Sequence, residues 1–397
     1  MKVLFDYQAF RMQRFGGVSR CFVELYKNLP DGVEAEISVT ESDNVYLKEI
    51  MPQVDPVGTK YRNFICKRDF FGKGHLFLWA DRFRRDKCCP DYSRNMMIKR
   101  LKRHDYDIFH PTYFDDYFLP YLDGTPFVLT IHDMIPELYP QYFRRDDFQI
   151  VKRRILAPKA SAIITVSEQT KRDVVDILGV DERKVHVIYH GCSFPTDIKT
   201  ETKYTGSPYI LYVGQRNAYK DFDIFMAQCA AFLRHHEEVD IVCTGCAFSE
   251  EETAMMEALG LRNRFRHEWV DGNERMYALY HNALCFVYPS EYEGFGIPIL
   301  EAYAADCPVV LNRASCFPEI AADAALFFSF KENEETASTS TVGSLDAALE
   351  RVYGMNDTER TSLIKRQQIR LEKFSWQRSA LQLAEVYQSV LRERMMN

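Results

Sequence analysis

The sequence predicts an α/β protein made of two doubly wound parallel-sheet domains. Three observations carry this prediction. Short apolar runs alternate with helical patterns over most of the 397 residues, and such alternation implies parallel strands with helices on both faces. The series runs once, stops at a polar stretch near residue 200, and starts again. Glycine turns close several of the runs, at the strand ends where open α/β sheets bind ligands. The length suits two or three domains, and an apolar content of 46 % is ample for their cores.

Lys2 to Phe5 reads as the first strand. A loop from Gln13 to Arg20 follows, then a helix carrying Phe22, Val23, Leu25, Tyr26 and Leu29. Gly16 and Gly17 open that helix, where they can hold a phosphate, admit a sugar or simply make a tight turn. Residues 67–103 hold twelve Lys/Arg against four Asp, interleaved with Phe70, Phe71, Leu76, Phe77, Leu78, Trp79 and Phe83. Such a stretch can lie on an anionic membrane, clamp an anionic acceptor, or form ordinary solvated helices. Tyr106 to Pro111 is a strand ending at a loop. Phe127 to Ile131 is a stronger strand, and it ends in His132-Asp133. There His132 can meet a sugar hydroxyl or a leaving group, with a purely structural histidine as the alternative. Ala160 to Val166 is the next strand, with Ser167 as the N-cap of the following helix. Val185 to Tyr189 closes the series.

The domain limits follow: 1–195 for the first domain, 196–208 for a linker, 209–375 for the second domain, and 376–397 for a closing helix. Tyr209 to Val213 restarts the series and Gly214 closes it. The next loop carries Arg216 and Lys220, cations long enough to reach a diphosphate. A helix with Phe222, Ile224, Phe225 and Met226 follows. Asp240 to Thr244 runs into Gly245, and Phe265 to Val270 into Asp271; both turns can edge a base. Ala283 to Tyr288 leads into Glu293-Gly294-Phe295-Gly296-Ile297-Pro298-Ile299-Leu300-Glu301. That stretch reads as strand, glycine loop and helix. Pro298 suits a first helical turn, Gly294 and Gly296 allow close backbone approach, and free amides at a helix start attract phosphate or sugar oxygens. Glu293 falls in the loop. Glu301 falls one turn into the helix, where a carboxylate can accept both hydroxyls of a ribose. Val309 to Leu311 is a further strand, 331–342 a polar loop, and 344–370 and 377–393 two closing helices.

Several function classes are excluded. A net charge of −7 gives no global signal for nucleic acid. No apolar run approaches the roughly 18–20 residues of a membrane span, and the opening residues lack the apolar core of a signal peptide. Eleven scattered cysteines read as reduced thiols in a cytosol. The lone C-x-x-C at Cys243 and Cys246 has no second pair to complete a zinc site. There is no P-loop, no G-x-G-x-x-G after the first strand and no H-E-x-x-H. No Asp-x-Asp suited to a divalent ion stands out, so no metal or cofactor is expected.

Taken in order, these stretches resemble the nucleotide-sugar-dependent glycosyltransferases of GT-B architecture, in the large retaining group (glycosyltransferase family 4, glycosyl transferases group 1) marked by E-x7-E. Glu293 to Glu301 fits that spacing. Phe15-Gly16-Gly17-Val18, Thr130-Ile131-His132-Asp133, Ile164-Thr165-Val166-Ser167, Leu211 to Arg216 with Lys220, Cys316 to Glu319 and Phe374-Ser375-Trp376 fit in turn. The wording looks most like bacterial transferases of lipopolysaccharide, O-antigen or capsule assembly. The resemblance implies two Rossmann-like domains facing a cleft, with the last helix crossing back to the first domain. It implies that Arg216 and Lys220 neutralise the departing diphosphate, that Glu301 binds the ribose, and that Glu293 and the 294–296 amides hold the sugar. Gly214, Thr244, Gly245, Val270, Phe295, Ile299 and Leu300 would border the donor, and His132, Gly16 and Gly17 the sugar. Here the loop reads Gly214-Gln215-Arg216 where the family often has Gly-Arg, which moves the arginine role to 216. The implied partners are a GDP- or UDP-linked mannose or glucose and a saccharide or lipid-linked saccharide acceptor. The implied location is the cytoplasm, peripheral to the inner face of the plasma membrane. A nucleotide-sugar epimerase, which would turn over donor without acceptor, and a non-catalytic scaffold subunit are the alternatives.

Overall fold

Parallel pairing organises the chain, as seen in a computed structural model that describes residues 1–57, 68, 70–76, 92–194, 206–216, 218–270, 272–330 and 343–396. Two units emerge. The first comprises Met1–Val166, Lys171–Ile188 and Trp376–Asn397; the second comprises Ser167–Thr170 and Tyr189–Ser375. The expected linker, 196–208, lies mostly outside the described residues, as does much of 67–103.

In the first unit, β1 (Lys2–Phe5) pairs in parallel with β2 (Glu34–Ile37) on one side and β3 (Ile108–His110) on the other. A second parallel row contains β4 (Val128–Ile131), β5 (Ala162–Thr165) and β6 (Val185–Val187). One parallel bridge, Phe109 to Phe127, joins the rows. The order is therefore β2-β1-β3-β4-β5-β6. Strand β2 was not foreseen, because its Glu34-Ala35-Glu36-Ile37 wording is that of a half-exposed edge. The helix Gly17–Lys27 buries Cys21, Phe22, Val23 and Leu25. The closing helix Trp376–Met396 buries Trp376, Ala380, Leu383, Tyr387 and Val390 in the same core.

The second unit has one six-stranded parallel sheet, β12 (Leu326–Phe328), β11 (Val309–Asn312), β10 (Cys285–Tyr288), β7 (Tyr209–Tyr212), β8 (Asp240–Thr244) and β9 (Phe265–Glu268) in that order. From β7 the chain steps outward one way, and from β10 it steps outward the other. Loops leaving the carboxyl ends of such a pair border the crevice where doubly wound sheets bind ligands. The pattern at 344–370 is two helices, not one. Leu345–Tyr353 stops at Gly354, and Asn356 opens Asp357–Leu371 with a capping box closed by Glu359. Among the described residues, no helix is long and apolar enough to cross a membrane. Cys243 and Cys246 are free thiols.

Two buried polar groups tie the first unit together. Asp6, just past β1, accepts the Thr112 amide at 2.9 Å and the Thr112, Gln8 and Tyr117 side chains at 2.6, 2.7 and 2.9 Å. His110, at the end of β3, bonds Tyr387 Oη through Nδ1 at 2.6 Å and Thr130 Oγ1 through Nε2 at 2.8 Å. Burial lowers the His110 imidazole from 6.5 to about 3 and that of His132 to about 4. Unfolded, both rings take up protons below about 6.5; folded, neither does until the pH is near 4 or below. Stability therefore falls as pH drops from 6.5 to 4, by up to ~1.4 kcal/mol per pH unit for each ring. We expect His110→Asn to flatten the fall in melting temperature between pH 7 and 4.5; equal slopes in variant and parent would rule out this source.

Candidate active site

The site is built from the loops that follow β7, β8 and β10. Strand β7 ends in Gly214, whose φ of +118° is open to glycine, and β8 ends in Gly245, with φ of +98°. The two turns touch: a Cβ on Gly245 would lie 2.7 Å from the Gly214 carbonyl oxygen. Arg216 holds them in register. Its Nε donates to Glu252 Oε1 at 2.8 Å, Nη1 to the Thr244 carbonyl at 3.1 Å, and Nη2 to the Cys246 and Ala247 carbonyls at 2.6 and 2.9 Å. Its guanidinium also lies 5.0 Å from the ring of Phe248. His267, on β9, bonds the Gly245 carbonyl at 2.7 Å. Arg216, expected as a diphosphate ligand, thus spends its donors on backbone carbonyls and one carboxylate. The physical reason is local: the turn after β8 brings three carbonyls and the Glu252 carboxylate within reach, and a forked donor satisfies several acceptors at once.

Lys220 stands differently. It lies in a short turn after β7, and its ammonium is ion-paired with Glu293, in the loop after β10. Both side chains are largely withdrawn from water. The Lys220 ammonium sits 5.0 Å from the Tyr219 ring and 5.9 Å from that of Tyr288. Burial, and then the charge and hydrogen bond of Glu293, push the Tyr288 hydroxyl well above its ordinary range. β7 and β10 are neighbours in the sheet, so the pair stands at the point where the strand order reverses.

The loop from Glu293 to Gly296 is pinned from the next turn of the sheet. Ser315 Oγ donates to the Glu293 carbonyl at 2.6 Å and accepts its amide at 3.3 Å. Cys316 Sγ donates to the Glu293 and Phe295 carbonyls, each at 3.2 Å. Gly296 has φ +94° and caps the helix Ile297–Ala304. A Cβ there would meet Ile299 Cδ1 at 3.1 Å and Phe317 Cε1 at 3.2 Å. Ile299, Leu300 and Glu301 are buried in that helix, and Tyr280 Oη donates to Glu301 Oε2 at 3.3 Å. Thr244 is buried behind Gly245. Val270 lies just past the carboxyl end of β9, beside Trp269, which is 70 % exposed.

In the first unit, Gly16 precedes the helix Gly17–Lys27, and its carbonyl accepts Ser19 Oγ at 3.0 Å. His132 leaves the carboxyl end of β4, edge-on to Phe22 with ring centroids 6.4 Å apart. Burial, aided by the charge of Arg153, holds its imidazole neutral at physiological pH. Sequence reasoning missed the contributions of Glu252, Ser315, Tyr280 and Tyr288. Glu252 follows Ser249 at capping-box spacing, which announces its cap on Glu250–Ala258 but not its bond to Arg216. The others carry no local signal.

Comparison with known proteins starts with the fold. The structure matches HepE of Anabaena in complex with UDP and glucose with a TM-score of 0.68 over 98 % of this chain and 100 % of that one, at 17 % identity. It matches WaaG, a glycosyltransferase involved in lipopolysaccharide biosynthesis, with a TM-score of 0.62 over 97 % and 99 %, at 14 % identity. The fold is therefore GT-B. The chain belongs to the glycosyltransferase family of this fold: the model for Glycosyltransferase Family 4 matches residues 15–193, and that for Glycosyl transferases group 1 matches 193–345. Relatives include the O-antigen chain mannosyltransferase RfbU of Salmonella typhimurium, 29 % identical over 201 residues. That alignment spans 50 % of this chain and only 55 % of the relative. The O-antigen chain mannosyltransferase B of Escherichia coli is 24 % identical over 276 residues, spanning 66 % and 69 %.

The glycine geometry gives a direct test. Gly245→Ala forces a Cβ against a backbone oxygen and a left-handed φ that costs alanine ~1–2 kcal/mol, so we expect a clearly lower melting temperature. Gly17→Ala, in a helix with open space around the new Cβ, is expected to be neutral or to stabilise by up to ~1 kcal/mol. Equal melting temperatures for the two variants would contradict the contact between the turns.

Proposed function

We propose that the chain is a retaining hexosyltransferase that moves mannose or glucose from a GDP- or UDP-linked donor to a saccharide or lipid-linked saccharide during lipopolysaccharide, O-antigen or capsule synthesis. The observation that carries the reading is the buried Lys220–Glu293 pair at the strand-order reversal, with Glu301 one turn into the adjoining helix. Mannose is favoured over glucose by the two O-antigen chain mannosyltransferases among the relatives.

The proposed chemistry is electrostatic. As the nucleoside diphosphate departs, negative charge grows on the β-phosphate. Lys220 and the amides at the start of Ile297–Ala304 stabilise it where it develops. Glu293 pre-positions Lys220 before the donor arrives, and with the 294–296 amides it holds the sugar. Glu301 accepts the ribose hydroxyls. Arg216 would reach a diphosphate only by giving up Glu252 and three carbonyls, so its task in this proposal is to keep the Gly214 and Gly245 turns rigid beside the donor. His132, as a neutral imidazole, serves the transferred sugar with the Gly16–Gly17 turn. Glu301 on the ribose leaves no second carboxylate for a double-displacement pair, so we propose front-face departure, with the leaving phosphate helping to deprotonate the acceptor. No metal takes part in this scheme. The exposed Phe70, Phe71 and Leu76, in the basic stretch 67–103, support contact with an anionic membrane at the cytoplasmic face.

A thermal-shift screen of UDP, GDP and their sugars identifies the donor, because a ligand of the native state raises stability as ln(1 + [L]/Kd). Transfer from that donor to a membrane extract of lipid-linked saccharides is then expected to fall on the order of 10²–10³-fold in Lys220→Ala. Glu301→Ala is expected to lose donor binding while keeping its melting temperature. Full activity in both variants would dismiss the site, and an inverted anomer in the product would dismiss retention.

A further inference from the structure

Behind His132 sits an unusual charge. Arg153, on the helix Phe148–Leu156, is 1 % exposed. Its Nη1 donates to the Asp133 carbonyl and reaches Met134 Sδ at 3.6 Å; its Nη2 donates to Gln149 Oε1 at 3.1 Å. The guanidinium carbon lies 5.0 Å from the Phe114 ring. Its buried counter-charge is Glu137, whose side chain is 2 % exposed and approaches Nε at 3.5 Å; the partly exposed Asp133 carboxylate lies farther off, 4.0 Å from Nη1. The Glu137 contact is an ion pair without a hydrogen bond: Arg153 Nε and both Glu137 oxygens are buried with no hydrogen-bond partner.

Such an arrangement is poorly explained by stability. Taking two charges out of water costs several kcal/mol each, and the attraction repays this only when geometry and hydrogen bonding are good. Here three of the polar atoms are left unmet, and a well-packed apolar pair of similar volume would serve a core at least as well. What an apolar pair could not do is donate to the Asp133 carbonyl. Residues 132–134 have left β4, and the next helix begins only at Ile135, so the sheet no longer fixes this backbone. Arg153 does so from within the core, one peptide beyond His132.

We propose that Arg153 is a positioning residue for transfer, setting the His132 imidazole through the Asp133 carbonyl. The proposal rests on the reading of His132 as a sugar-site residue. Arg153 touches no reacting atom; it acts through the turn it holds. Glu137, with the more distant Asp133 carboxylate, balances its charge.

The test is a double-mutant cycle on the transfer reaction, with the donor chosen by the thermal-shift screen and membrane-extracted lipid-linked saccharides as acceptor. The variants are His132→Ala, Arg153→Met, the double variant and Arg153→Lys. A shift of about 1 Å in a reacting group can cost about 10²-fold, so Arg153→Met is expected to lower kcat by roughly that factor. The donor KM should change by less than about twofold, because the proposed nucleotide contacts lie in the second unit. The double variant should be no slower than His132→Ala, since a residue acting through another adds nothing once that other is gone. Arg153→Lys, which keeps the charge and one donor, should recover part of the lost kcat. Multiplicative losses in the double variant, or an unchanged kcat in either Arg153 variant, overturn the proposal. If Arg153→Met does not fold, Arg153→Lys with Arg153→Lys/His132→Ala forms the cycle and is read the same way. Full activity in His132→Ala would instead overturn the role given to His132, a separable outcome.

Discussion

Every described strand of the second unit runs in one direction, and this constraint governs where its loops arrive. A parallel sheet delivers its loops to one edge, so residues far apart in the chain arrive together there. Lys220 and Glu293 are 73 positions apart yet form an ion pair, because β7 and β10 are neighbours whose onward paths diverge. Divergence matters as much as adjacency. Where successive crossovers leave in opposite directions, no helix covers the gap between the two strand ends, and the crevice stays open to a ligand.

Around that crevice the backbone is handled as carefully as the side chains. Two left-handed glycine turns meet carbonyl to Cα, and the turn after β8 presents several carbonyl oxygens to one side chain. Arg216 answers four acceptors at once and covers itself with Phe248. Ser315 and Cys316 do the same for the Glu293–Phe295 loop, using short side chains from the following strand end. These groups fix the frame, which leaves Lys220, held among the described residues by Glu293 and two rings, as the cation best placed to change partner.

Much of this was legible beforehand. The core strands could be read because parallel strands buried on both faces are continuous apolar runs; Tyr209 to Tyr212 and Val128 to Ile131 are examples. Edge strands resisted for the converse reason. Glu34-Ala35-Glu36-Ile37 shows one polar face, and Leu326–Phe328 is too short to carry a pattern. The glycine loop between Glu293 and Glu301 was visible because its geometry needs special residue types at fixed spacing. The occupation of Arg216 was not. Its partners are carbonyls, which any residue supplies, and Glu252, whose position in space depends on the intervening β8 and its crossover. The break at Gly354 was available from its glycine and the Asn356–Glu359 spacing, but the continuous helical pattern on either side masked it.

The hydrogen bond between Tyr387 and His110 joins the last helix to the third strand of the first unit. That unit is therefore discontinuous: its sheet is made early in the chain, but a wall of its core arrives only after residue 376. The second unit is almost one continuous segment, Tyr189–Ser375. During synthesis, the order of completion is thus the reverse of the order of the sheets. The core of the first unit therefore depends on a segment that the chain supplies only after nearly all of the second unit.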